Sequence, residues 1–173
     1  MADWILRGAS PGDAAAVSAL LVRSYRTLWA DHYPPELLAD VLPFMTRANV
    51  GLLASGRFFV AMVGDGAGVE GVRAVACGGW SAQWPGTLDC CDPGISHLRH
   101  FATDPKWLRR GIGRAILGRC MEEAREAGFF TLMADAAYGA EPFYADAGFE
   151  IVGSGTAVIG GLPFSGSMMQ RSL

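Results

Sequence analysis

The stretch WLRRGIGRAIL, Trp107 to Leu117, sets two glycines one residue apart among three arginines, at the point where a helical pattern begins. An interior glycine costs up to about 1 kcal/mol relative to alanine, so this pair marks backbone that must bend or be approached. The first turn of a helix leaves its N–H groups without intrahelical partners, and the positive end of the helix dipole lies behind them. Arg109, Arg110 and Arg114 add cationic charge at the same place. The chemistry on offer is a grip on a phosphate-like anion. The same glycines equally suit a helix start that merely packs closely on a neighbour. Spacing removes two phosphate loops. The G-x-x-x-x-G-K-[ST] pattern is absent, and a dinucleotide fingerprint wants a third glycine where Ile116 stands.

Other reactive residue types lack such order. Cys77, Cys90, Cys91 and Cys120 form no C-x-x-C pair and have no histidine pattern beside them, so neither a metal site nor a disulfide framework is expected. They read as small apolar fillers.

The elements that would carry these residues alternate in period. Trp4 to Arg7 is a short strand, and Ser10, Pro11, Gly12 and Asp13 then break the chain and offer a cap to a helix from Ala14 to about Trp29. In that helix Val17, Leu20, Leu21, Ser24 and Leu28 recur at three-to-four spacing. A second helix is expected from Pro35 to Arg47, with Leu38, Val41, Leu42 and Met45 on one face. RFFVAMV and VRAVACGGW are β-rich and flank GDGAGVEG, which predicts an antiparallel hairpin. Ser81 to Gly94 reads as an exposed loop, and Ile95 to Thr103 as the strand that feeds the glycine-rich helix. Along that helix Ile112, Ile116, Cys120 and Ala124 form one apolar stripe, and Gly128 supplies its stop. Phe130 to Asp135, Glu141 to Ala147 and Phe149 to Val152 read as strand, short helix and strand. Phe164 to Arg171 is expected to be a last strand at a sheet edge. Strands and helices alternating in this way argue for a mixed α/β sheet.

A chain of 173 residues suits one domain over residues 1–173, long enough to bury a core without staples. Hydrophobic residues at 51% and charged residues at 18% argue for a folded chain rather than a disordered one. No apolar run reaches the roughly 18 residues of a membrane span. Asp3 and the short apolar patch of MADWILRGASPGD are unlike a secretory leader, which makes the cytoplasm the expected compartment. A net charge of −3, with basic residues dispersed apart from Arg109, Arg110 and Arg114, argues against nucleic acid as a partner, and no membrane partner is expected.

HLRHFATDPKWLRRGIGRAIL, followed by AEPFYADAGFE, resembles the GNAT superfamily of acetyl-CoA-dependent N-acetyltransferases. In that family a strand ending apolar-x-apolar-x-Pro leads into [QR]-x-x-G-x-[GA]. Phe101, Thr103 and Pro105 take the first part, and Leu108 through Gly113 the second. The later signature A-x-x-F-Y-x-x-x-G-F is matched by Ala140, Phe143, Tyr144, Gly148 and Phe149. The resemblance covers about His97 to Val152. Two positions depart from it: Leu108 stands where Gln or Arg is usual, and Ala137 where many members have Asn.

The resemblance implies a single-domain GNAT-like acyltransferase fold, a mixed and mostly antiparallel central sheet flanked by helices. It implies acetyl-CoA as cofactor, with its diphosphate on the amides of Arg109, Arg110, Gly111, Ile112, Gly113 and Arg114. The pantetheine arm would lie along Phe101, Ala102 and Thr103. It implies direct transfer of the acetyl group to a primary amine of a small molecule or peptide, with Tyr144 as the general acid that protonates the departing thiolate. His97 lies where some histone-type members carry a catalytic Glu, and an imidazole can accept a proton near neutral pH. His100, its competitor, falls on the other strand face by period two. The family's acceptor site, under the first two helices and their turn, corresponds to WADHYPPE, so Trp29, His32 and Tyr33, with Trp80, are its candidate lining. No metal is implied, and a homodimer is left open. An acyl-CoA-binding sensor or structural module without turnover is the alternative function.

Overall fold

The structure, a computed structural model, describes residues 4–64, 71–87 and 89–173. The chain opens with β1 (Ile5–Gly8), and a 3-10 turn at Pro11–Asp13 leads into α1 (Ala14–Leu28). Asp13 anchors that turn by accepting from the Ser10 amide at 2.8 Å and from the Arg7 guanidinium at 2.7 Å. Then come α2 (Pro35–Met45) and α3 (Val50–Ala54). The α3 helix is one turn that periodicity does not announce; Asn49 Oδ1 caps it by accepting from the Leu52 amide at 3.1 Å. β2 (Phe58–Val63) and β3 (Arg73–Ser81) follow and pair antiparallel, as the sequence predicts. Most of the expected turn between them lies outside the described residues. Ser81 is buried as the end of β3 rather than the start of the loop.

β4 (Ile95–Thr103) feeds a 3-10 turn at Pro105–Trp107 and then α4 (Ile112–Glu126), the glycine-opened helix. β5 (Thr131–Ala137), α5 (Glu141–Ala145), β6 (Glu150–Ile159) and β7 (Leu162–Ser172) complete the chain. The strands form one mixed sheet in the order β1-β2-β3-β4-β5-β7-β6. β7 is therefore interior and β6 is the edge, which reverses the expectation from sequence. β6 is also longer than expected, because Gly153, Ser154, Gly155 and Thr156 hide its period. It is held by its hairpin with β7, whose turn places Gly160 and Gly161 at φ of 58° and 84°.

Each face of the sheet buries its own core. Val17, Leu20 and Leu21 of α1 and Trp29 just after it pack with Val41, Leu53, Val60, Cys77 and Phe164 on one side. Ile112, Ile116, Leu117 and Cys120 of α4 pack with Phe59, Trp80, Leu98, Leu132 and Met169 on the other. No described helix is long and apolar enough to cross a membrane.

Candidate active site

Geometry gives the two glycines separate reasons. Gly111 is the N-cap of α4 at φ 76°, left-handed, and a Cβ added there would meet nothing within 4 Å. Its conformation explains it. Gly113 has an ordinary φ, but an added Cβ would lie 3.2 Å from the Phe143 ring and 3.4 Å from Thr103 Oγ1. Close packing explains that one. Arg109 is also left-handed, at φ 59°, so left-handed residues flank Arg110 and curl the segment into a concave turn. Among the described residues, no hydrogen bond within the protein uses the amide N–H groups of Arg109 through Arg114. Arg109, Arg110, Gly111 and Arg114 are exposed and Ile112 is buried as the root of the helix. Arg110 stacks its guanidinium 4.4 Å above the Trp107 ring. The turn therefore presents unspent donors and cationic side chains to one patch of solvent, as an anion site requires.

Asp104 fixes that turn from below. Its carboxylate accepts from Arg23 Nε at 2.9 Å and from the Lys106 amide at 3.0 Å, and Arg73 stands 3.4 Å away. Its own amide donates to Val75 O at 2.8 Å, so α1, β3 and the turn meet at one buried carboxylate.

Beside the turn the sheet opens. β4 and β5 run parallel and pair only through Ile95↔Thr131, Ser96↔Leu132 and His97↔Met133. Beyond His97 the two strands keep only their outer partners, β3 and β7, so a wedge separates them. On the β3 side His100 and Phe101 together oppose Gly78, a two-against-one bulge with His100 at φ 50°. The Phe101 ring fills the space where Gly78 lacks a side chain, 2.7 Å from an ideal Cβ. The bulge resets alternation: Leu98, Phe101 and Thr103 share the α4 side, while Ala102 joins the α1 core. One carbonyl at the wedge already has a donor, since Tyr25 Oη–H reaches Phe101 O at 3.2 Å.

Tyr144 comes to the α4 side of the wedge on α5. Its ring meets Phe143 at 5.0 Å, Phe149 at 5.6 Å and Phe101 at 6.3 Å, and no described residue hydrogen-bonds its hydroxyl. Burial first, with Cys120 and Asp135 nearby, raises its pKa, so it is a phenol at neutral pH.

His97 lies on the opposite face, 2% exposed. Its Nδ1 is 2.8 Å from Leu98 O and its Nε2 is 3.5 Å from Asp135 Oδ2, while Trp84 stands edge-on at 6.1 Å. Asp135 is the site residue that the sequence did not single out. The one signal for it was a charge in the otherwise uncharged strand TLMADAA. The hydrogen bond from His97 holds its carboxyl below the usual carboxylate value. His100 is pushed down to about 4 by desolvation and by Arg99.

The four expected acceptor residues divide. Trp29 and Tyr33 are buried in an aromatic stack in which Trp29 contacts Tyr25 at 4.0 Å and Phe164 at 5.2 Å, and Tyr33 contacts Phe164 at 4.5 Å and Tyr138 at 5.5 Å. Tyr33 Oη–H donates to Ser165 O and accepts from the Tyr138 amide, both at 2.8 Å, tying α1's exit to β7 and to the end of β5. His32 is exposed and lies over Gly139. Trp80 does not join them. It is 2% exposed and packs on the α4 side against Phe129 at 5.5 Å, because it lies three positions after Cys77, which faces α1.

Residues 85–165 match the acetyltransferase (GNAT) domain family. No curated protein sequence matches the chain. A GCN5-related N-acetyltransferase from Rhodopseudomonas palustris superposes with a TM-score of 0.77 at 23% identity, over 100% of this chain and 98% of that one. The PaiA N-acetyltransferase from Thermoplasma acidophilum, in complex with coenzyme A, gives 0.71 at 13% identity over 98% and 99% of the two chains. A probable acetyltransferase from Staphylococcus epidermidis gives 0.65 at 16% identity over 98% of both. At these identities the superpositions speak for the fold.

Proposed function

We propose that this chain, whose residues 85–165 match the acetyltransferase (GNAT) domain family and whose fold superposes on N-acetyltransferase structures along its whole length, is an acetyl-CoA-dependent N-acetyltransferase of primary amines. The observation that carries the proposal is the run of unspent amides from Arg109 to Arg114 beside the β4–β5 wedge. Those amides, with Gly111 bare to solvent, bind the diphosphate of the cofactor. Arg109, Arg110 and Arg114 add screened surface charge. Phe101, Ala102 and Thr103 line the wedge that takes the pantetheine arm.

Acetyl-CoA supplies a thioester. The protein orients it between two proton-handling groups on opposite faces of the sheet. On the α4 side, Tyr144 holds an unshared hydroxyl proton and gives it to the departing sulfur. On the α1 side, His97 and the Asp135 carboxylate against it form the proton-accepting pair, since an ammonium cannot attack. Trp29 and Tyr33 stiffen the wall of the acceptor site from within the core, and His32 lines its rim.

Calorimetric melting with coenzyme A, ATP and NAD tests the ligand. At 100 times its Kd, coenzyme A should stabilise the fold by about 2.7 kcal/mol, and ATP and NAD should not. Absence of that rise ends the proposal. Thiol release from acetyl-CoA with a panel of amines tests turnover. Tyr144→Phe should lower kcat by roughly 100-fold and leave the coenzyme A melting shift intact. A protein that shows the shift but releases no thiol with any amine is the acyl-CoA-binding module instead.

A further inference from the structure

We propose that Asp135 is the residue that receives the acceptor, binding its ammonium through Oδ1, and that buried His97 is a positioning residue behind it. The inference rests on the acetyltransferase reading above.

The division of labour follows from access. His97 is 2% exposed, and each ring nitrogen faces an oxygen: Nδ1 the Leu98 carbonyl, Nε2 the Asp135 carboxylate. No ring nitrogen is left to meet an amine. The Asp135 side chain, by contrast, is 54% exposed, and among the described residues His97 is its only ion-pair partner. The pair uses Oδ2, which leaves Oδ1 facing the open side.

The surroundings of Oδ1 keep it open. Asp135 pairs in register with Met168 of β7, and Met168 with Gly153 of β6; two residues along, Ala137, Gly166 and Gly155 form the next row of the same face. A Cβ at Gly155 would lie 3.7 Å from Oδ1, so a longer side chain there would cover it. Gly166 itself admits nothing larger, because its Cβ would lie 2.4 Å from Ala136 O. The carboxylate thus stands beside Met168 with a glycine row beyond it, and Trp84 is edge-on to His97.

The other charged groups nearby are turned elsewhere. Arg99, on the same face of β4, donates to Ser81 Oγ at 2.9 Å. Glu141 accepts from the Gly139 amide and from Ser167 Oγ. Asp135 is held ionised by His97, which suits it to a cation.

The proton balance closes. The acceptor enters as R–NH3+ and leaves as an amide, losing two protons as its C–N bond forms and the thioester C–S bond breaks. One proton goes to solvent. The other replaces the proton that Tyr144 gives to the thiolate, yielding the free thiol. An acceptor with a carboxylate next to its amine would bring like charge to Oδ1, so the favoured class is cationic amines without one.

Benzylamine, alaninamide and alanine serve as probes, with thiol release as the readout. The wild type should prefer alaninamide to alanine about tenfold or more in kcat/KM. Asp135→Asn should raise the KM for benzylamine and alaninamide about tenfold and erase most of the preference. The KM for acetyl-CoA and the coenzyme A melting shift should stay unchanged, which shows that the variant is folded. Asp135→Glu should recover part of the loss. A KM for benzylamine within twofold of the wild type in Asp135→Asn overturns the inference. Titration calorimetry of benzylamine into coenzyme A-saturated protein reads the same contact without turnover. Binding lost in Asp135→Asn supports it, and equal or absent binding in both proteins overturns it. If the wild type releases no thiol with any amine yet coenzyme A stabilises it, the transferase reading fails instead, and calorimetry still judges Asp135.

Discussion

Glycine and aspartate at this site illustrate how much a single position depends on its neighbours. Gly111 and Gly113 look alike in the sequence, yet one is present for its φ of 76° and the other for the ring of Phe143. Gly111→Ala has room for its methyl group but must hold a left-handed backbone, at a cost of about 1 kcal/mol. Urea denaturation should report that loss, and the variant should also bind coenzyme A more weakly, because relaxing φ re-aims the amides behind it. Asp135 makes the converse point. A lone charge on a strand says nothing until parallel register brings it against His97.

The bulge in β4 decides more about the site than any of its side chains. Strict alternation would set Leu98 and Phe101 on opposite faces; two residues opposite Gly78 bring both to the α4 side, where Phe101 meets Tyr144. His100 carries the strain of that bulge at φ 50° and is desolvated there, with a pKa pushed down to about 4. Unfolded, a histidine titrates near 6.5. The neutral ring's contribution is therefore complete above about pH 6.5 and is lost as the pH falls toward 4, since the unfolded chain takes a proton that the folded one refuses. His100→Asn accepts the same left-handed backbone and cannot titrate. Urea midpoints measured from neutral pH down to about 4.5 should fall more steeply for the wild type than for this variant.

Layering puts Tyr144 and the His97–Asp135 pair on opposite sides of one sheet, with the β4–β5 wedge between them. The Arg109–Arg114 turn is docked on that sheet by Asp104, which joins α1, β3 and the turn. Arg23 and Arg73 are each about a third exposed, at 34% and 31%, so solvent screens part of the clasp. Asp104→Ala should still cost roughly 2 kcal/mol. Thermal unfolding would show the loss, and excess coenzyme A should restore part of it by linkage.

Local pattern was enough for much of this protein. The amphipathic stripe of α1, the strand Ile95–Thr103, the helix opened by Gly111 and the short helix carrying Tyr144 all follow from spacing, breakers and caps within a few residues of each other. The turn of unspent amides from Arg109 to Arg114 was legible for the same reason: its donors belong to consecutive residues. Strand order, by contrast, is set by which surfaces bury one another, and it made β7 interior and β6 the edge. Bulges and parallel register depend on the partner strand, and they placed Phe101 beside Tyr144 and Asp135 beside His97. Contacts between residues distant in the chain leave no period in either segment alone, so those placements came only with the folded sheet.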